Sequence, residues 1–284
     1  MAQNMKDIKR RIGSVGSIMQ ITNAMELVSS AKFRKARQRL EATRPYYKTV
    51  CDNINELIGL SKDNTSKLLK SREVKTRAVL VVASNRGLAG GYNINVVKEA
   101  VAHTRDGVET IFYSTGLRAV ELLKKYSDRV NKDFTMVSEQ PTMEEAQAVG
   151  AHLLELYQKE KIDELLVVYT RFNSALSLEP HTIKVLPAEG FDKNKEEKKT
   201  DILFEPSASM VLHQMLKQFV NISIYGALLE ASASEQASRR TAMENATSNG
   251  EELLSDLELV YNRARQAQIT QEISEIVGGA EALK

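Results

Sequence analysis

Over residues 3–59 apolar side chains recur every three or four positions, at Ile8, Ile12, Val15, Ile18 and Met19 and again at Met25, Val28, Phe33, Ala36 and Leu40. That spacing is one face of an α-helix. Gly13 and Gly16 each lower helix propensity by about 1 kcal/mol relative to Ala, and Pro45 is expected to kink or loosen the helix a turn beyond Leu40. A helix of this span is about 85 Å long, more than a compact domain of this size holds inside itself. From 75 to 187 the rhythm changes to short apolar, β-rich runs at 78–83, 110–113, 134–137 and 165–170. Helical patterns at 94–103, 117–126 and 143–160 lie between them. The order β-α-β-α-β-α-β predicts a parallel sheet in a Rossmann-like α/β domain, with a last strand at 182–187 closing one edge.

Residues 190–201, with Lys193, Lys195, Glu196, Glu197, Lys198 and Lys199, read as a solvated loop. From 207 to 277 there is no proline, and Leu212, Met215, Phe219, Ile222, Gly226 and Leu229 again follow steps of three and four. This predicts a second helix on the order of 100 Å long. Its centre is rich in small residues between Ala231 and Gly250, which let another backbone approach closely. The fold class expected is mixed α/β: a long antiparallel coiled coil of N- and C-terminal helices with an inserted Rossmann-like α/β domain. The segments are 1–59 for the first helix, 75–205 for the α/β domain and 207–284 for the last helix.

Charge supports that pairing. The chain as a whole carries only +2 over 284 residues, but residues 1–50 hold 11 Lys and Arg against Asp7, Glu26 and Glu41, a net of +8. Residues 240–284 hold Arg240, Arg263, Arg265 and Lys284 against eight carboxylates, a net of −4. The two ends attract one another. A 27% charged fraction excludes a disordered or bulk polycationic chain. The longest apolar run, 78–83, is far short of the roughly 18 residues of a membrane span. The single cysteine, Cys51, has no partner for a disulfide or a metal site.

Candidate chemistry is sparse. The run SNRGLAGGY at 84–92 follows the first apolar strand and precedes a helix, where backbone N–H groups can cradle a phosphate. Gly87, Gly90 and Gly91 do not fit G-x-G-x-x-G, and no Lys-Ser/Thr pair follows, so a tight turn with glycines at φ > 0 is the competing reading. His103, His152, His181 and His213 stand far apart, without a carboxylate or Cys cluster around them. The basic run 32–39 suits a nucleic-acid or membrane surface, or a solvated face opposite an acidic partner. No cofactor is implied.

At the C-terminus the run LELVYNRARQAQITQEISEIVGGAEA (257–282) closely resembles the signature of the gamma subunit of F-type ATP synthases. The block SEQASRRTAMENATSNG (234–250), the N-terminal run 18–40 with ITNAM and AKFRKA, and the turn SNRGLAGGYN (84–93) resemble further blocks of that family. The resemblance spans essentially the whole chain.

It implies a non-catalytic rotor shaft that couples ion flow through the membrane c-ring to ATP synthesis or hydrolysis on the alpha and beta subunits. The implied partners are three alpha and three beta subunits, epsilon and the c-ring. By the same resemblance Arg239, Arg265, Gln266, Thr270 and Glu272 meet the beta-subunit catch loop, Met25 with Lys32 and Arg34 forms the rotor–stator contact, and Phe204 and Glu205 meet the c-ring. Phe204 stands where the family often has tyrosine, Asn85 where it commonly has Asp, and Arg240 with Thr241 replaces a more apolar pair. The region 187–207 lacks the cysteine-bearing insertion of the chloroplast branch, and no acid-free amphipathic segment precedes Ile8. The location implied is the cytoplasmic face of a bacterial membrane, peripheral. A nucleic-acid-binding coiled coil is the rival reading, with residues 32–39 on phosphates and affinity falling steeply with salt.

Overall fold

The computed structural model describes residues 5–60, 66–174, 177–189, 191, 204–205 and 207–281. Helix α1 spans Met5–Leu60, and five strands alternate with three helices: β1 Thr76–Val81, α2 Tyr92–Ala102, β2 Glu109–Ser114, α3 Leu117–Leu123, β3 Val130–Asn131, α4 Met143–Gln158, β4 Glu164–Phe172 and β5 Leu178–Leu186. Helix α5 runs over Ala208–Glu281. The long N- and C-terminal helices and the α/β alternation between them are those expected from the hydrophobic periods.

The sheet order is β3-β2-β1-β4-β5. Strand β1 pairs in parallel with β2 and β4, β2 with β3 in parallel, and β4 with β5 antiparallel. Strand β1 alternates sides with period two. Ala78, Leu80 and Val82 join the larger core, with α4 and segments of α1 and α5. Val79 and Val81 join a smaller one built on Val96, Val97 and Ala100 of α2 and Ala119 and Leu123 of α3. A strand covered on both faces reads as a continuous apolar run, as 78–83 does.

Two local expectations are corrected. Residues 134–137 are not a strand: the Lys132 carbonyl accepts from both the N–H and the hydroxyl of Thr135, closing a turn, and such local bonds compete with a sheet ladder. Phe134 is half-buried instead through ring contacts with Tyr113 and His152, and the edge strand is the short β3. Strand β5 begins four residues earlier than expected, because Ser174 and Ser177 exchange backbone hydrogen bonds and turn β4 back on itself. As the predicted span of the first helix requires, Pro45 lies inside α1 without ending it. Proline in a helix costs about 3 kcal/mol, and burial of Leu40 before it and Val50 and Ile54 after it, at roughly 1.5–3 kcal/mol each, outweighs that.

The chain divides into two compact units. In the unit of residues 1–29 and 240–284, α1 and α5 run antiparallel: the Thr22 and Thr247 hydroxyls meet at 2.7 Å and the Met19 side chain lies against Gly250, where a Cβ would meet its Cγ at 2.5 Å. Gly250 is small so that the helices can approach. The unit of residues 30–239 contains the sheet, and there too α1 and α5 are antiparallel neighbours, with the Gln218 amide donating to the Tyr46 hydroxyl at 2.6 Å.

Candidate functional site

The glycine-rich turn leaves the end of β1 and is held by local bonds. Ser84 donates through its N–H to Asn93 Oδ1 at 3.0 Å and through its hydroxyl to the Arg86 carbonyl at 2.6 Å. Gly90 takes φ +56°, as expected of a glycine here, and Leu88 takes φ +61° without being one. At Gly116, the N-cap of α3, a Cβ would overlap the Ala83 and Ser84 carbonyls, so only glycine lets α3 start against the end of β1.

What the turn presents decides between its two readings. Its carbonyls face α5. The Ser238 hydroxyl donates to the Ala89 carbonyl at 2.7 Å, and the Arg239 guanidinium reaches the Gly87 carbonyl at 3.4 Å. The Tyr92 hydroxyl donates to the Ala231 carbonyl at 3.2 Å. Beside them Ser232 donates to the Glu139 carbonyl at 2.8 Å and Ser234 to the Thr170 carbonyl at 3.0 Å. A phosphate cradle needs converging N–H groups; an anion here would meet carbonyl oxygens. The crevice at the C-terminal end of β1, where doubly wound folds place ligands, is filled by α5 down to a space of about 30 Å³, room for a water molecule. The turn is a clasp on α5.

Buried charge completes the clasp. Arg239 and Glu235 pair at 2.6 Å with both side chains below 10% exposure. Burial pushes the Glu235 carboxyl above its ordinary range, and the pull of Arg239 only partly offsets this. Glu139 accepts from Lys32 at 2.5 Å and lies 3.6 Å from Arg86. The Lys32 hydrogen bond is the chief reason its carboxyl is held below the usual range, against some desolvation. Such a carboxylate adds stability above its unfolded pKa that is lost as pH falls through its folded value. Lys32→Met is expected to move the Glu139 titration upward, toward the ordinary 4.5, as read by carboxyl-carbon NMR; an unmoved midpoint would refute the pair.

The residues singled out from the sequence separate into different surroundings. Arg265, Gln266, Thr270 and Glu272 are all exposed on α5. Arg265 and Glu272 are seven apart and Gln266 and Thr270 four apart, so each pair shares a face. The Thr270 hydroxyl donates to the Gln266 carbonyl at 2.9 Å, and Gln268 donates to Glu272 at 2.9 Å. Among them stand Ile269, Ile273, Ile276 and Val277, between 47% and 72% exposed, a concentration of apolar surface that marks an interaction site. Arg239 does not join this group, since its donors are committed inside the other unit. Met25 is half-buried, Lys32 is half-buried on Glu139, and Arg34 is exposed. Phe204 packs against the larger core and Glu205 is exposed; Pro206 and the loop 192–203 lie outside the described residues.

Ser232, Ser234 and Ser238 were legible only as small residues, and nothing in the sequence pointed to Glu139. In the basic run 32–39, Phe33, the one aromatic able to stack on a base, is buried against Phe172 with ring centroids 5.5 Å apart, and Lys32 is engaged with Glu139. A nucleic-acid face loses its stacking residue and one of its cations.

The ATP synthase family model matches residues 4–283. The chain is similar to the ATP synthase gamma chain of Alkaliphilus metalliredigens, 45% identical over 290 residues with all of both chains covered. It is also similar to the sodium-ion-specific ATP synthase gamma chain of Acetobacterium woodii, 39% identical over 301 residues, again across both whole chains. Among solved structures it shares its fold with a chain of the Euglena gracilis mitochondrial ATP synthase OSCP/F1/c-ring assembly in rotational state 3. There the TM-score is 0.69 at 18% identity, with 98% of this chain and 94% of that one covered.

Proposed function

We propose a rotary role for this chain, which belongs to the ATP synthase gamma-chain family. It is the central-stalk rotor of an F-type ATP synthase, coupling ion flow through the c-ring to ATP synthesis or hydrolysis on the alpha and beta subunits, with epsilon as its companion on the stalk. The observation that carries this reading is the end-to-end match to gamma chains at 45% identity, with no part of either chain left over. The unpartnered apolar surface at 269–277 and the absence of an anion cradle at the glycine turn accord with a chain that presses on its neighbours and leaves bond chemistry to them.

The mechanism is a population shift. A surrounding subunit changes state only if the shaft contacts its states unequally, and a helix pair with different side chains around its circumference does this at each angle. Arg265, Gln266, Thr270 and Glu272 form the contact to the beta-subunit catch loop, and Met25 with Arg34 forms the rotor–stator contact. Lys32, held on Glu139, and Arg239, buried on Glu235, brace the unit of residues 30–239. No helix among the described residues is long and apolar enough to cross a membrane; Phe204 and Glu205 join the chain to the c-ring, at the cytoplasmic face of a bacterial membrane. In this reading segments 1–59 and 207–284 supply the shaft and 75–205 the body resting on the ring.

The test is reconstitution with alpha and beta subunits of the same source. A bead is attached through Met136→Cys, at a side chain 88% exposed, with Cys51→Ser removing the native thiol. ATP-dependent rotation in three steps per turn is the expected result. Assembly with no rotation, or no assembly, would overturn the proposal.

A further inference from the structure

A second cavity, lying between α1, the β4–β5 pair and α5, plays no part in the rotary reading. Its volume is about 300 Å³, at the lower end of small-molecule pockets, and the groups around it are chemically unspent. Arg44 and Arg171 stand exposed at its rim. Both line the same cavity as Glu230, and neither closes an ion pair with it. Among the described residues Glu230 accepts only a long bond from the Phe172 N–H, 3.4 Å. Deeper in, Ser223 is 97% buried, and its hydroxyl closes no hydrogen bond of good geometry although that of Tyr47 lies beside it. Buried polar groups are almost always paired, so the unpaired Ser223 hydroxyl at the floor of a void rimmed by two arginines points to a ligand. Between rim and floor the wall is apolar and aromatic: Leu40, Ile183 and the Tyr169 ring, which stands edge-on to His181 at 5.8 Å.

We propose that this cavity binds a small organic acid that also carries a hydroxyl or amino donor. The acid group pairs with Arg44 and Arg171 at the rim through charge-assisted bonds, which are stronger than neutral ones. The body lies on the apolar wall, and the donor reaches Glu230 and Ser223. Two cations against one carboxylate select an anion, while Glu230 and Ser223 penalise a ligand that brings no donor to them, because a buried polar group left unpaired costs affinity.

Fluorine NMR of 3-fluoro-4-hydroxybenzoate titrated with the full-length chain tests this, with 4-fluorobenzoate as the probe lacking the donor. The hydroxylated probe is expected to broaden saturably at one site per chain and to bind several-fold more tightly than the other. Arg44→Gln with Arg171→Gln is expected to weaken it about tenfold or more. Gly226→Leu supplies an independent variant. A Cβ at Gly226 meets nothing within 4 Å, so the new side chain fills the cavity and replaces a poor helix former, removing binding without lowering the melting temperature. No saturable broadening, equal binding of the two probes, or unchanged binding in both variants would overturn the site. None of these outcomes depends on rotation, so the site and the rotary reading fail separately.

Discussion

Arg265→Ala combined with Gln266→Ala is expected to lower ATP synthesis by the reconstituted complex about tenfold or more, while leaving the chain itself as stable as before. Both residues are exposed on α5. Arg265 forms no ion pair among the described residues, and only the Gln266 backbone carbonyl is engaged, by Thr270. Alanine keeps that carbonyl and favours the helix, so the isolated chain changes by no more than about 0.5 kcal/mol. Arginine at the centre of an interface commonly costs 2 kcal/mol or more on truncation, and that loss is expected to fall on the proposed catch-loop contact. Unchanged synthesis would remove these residues from the contact; a loss of helix content in the chain alone would make their role structural.

Arg239→Ala is expected to act in the opposite place. Its ion pair with Glu235 is buried on both sides, and removing one partner of a buried pair costs about 3–5 kcal/mol because the other charge is left uncompensated. Hydrogen exchange over 231–239 in the full-length chain should therefore lose protection, without any partner subunit present. The pH dependence has a definite sign. Burial already raises the Glu235 carboxyl, and Arg239 is the main group opposing that. Without Arg239 the folded value rises further above the unfolded one. A carboxyl raised on folding makes folding less favourable as pH climbs through that window, so the deficit is greatest near neutrality and shrinks on acidification. Replacing the pair together, Glu235→Leu with Arg239→Leu, should restore most of the protection. A variant that exchanges like wild type would return Arg239 to the outer contact suggested by the family resemblance.

These two arginines show how far the sequence reaches into the site. Both lie in helical runs that match the same family, and by motif alone they read as members of one contact. Arg265 sits where α5 carries charge and exposed isoleucines together; Arg239 sits in a stretch of alanines and serines. Small residues signal close packing, and close packing buries a neighbouring arginine, so the information separating the two was present as composition. It did not name the partners. Glu139 lies 93 positions from Ser232 and 107 from Lys32, and no local pattern links residues so far apart. The glycine turn behaved similarly. Its place after β1 and its need for positive φ were legible, whereas the direction of its carbonyls depends on what packs against it.

By itself the sequence determined the long terminal helices, the alternating strands and helices between them, the opposite charge of the two ends and the family. Each follows from a period, a sum or a motif contained in a short window of chain. Tertiary structure alone decided that 134–137 turns while 130–131 pairs, that α5 occupies the crevice where a ligand would sit, and that Arg44, Arg171, Glu230 and Ser223 surround one cavity. The physical reason is common to all of these. Each outcome is a competition between a local preference of a few kcal/mol at most and burial or hydrogen bonding contributed by residues remote in sequence, and the remote partners exist only once the chain has folded.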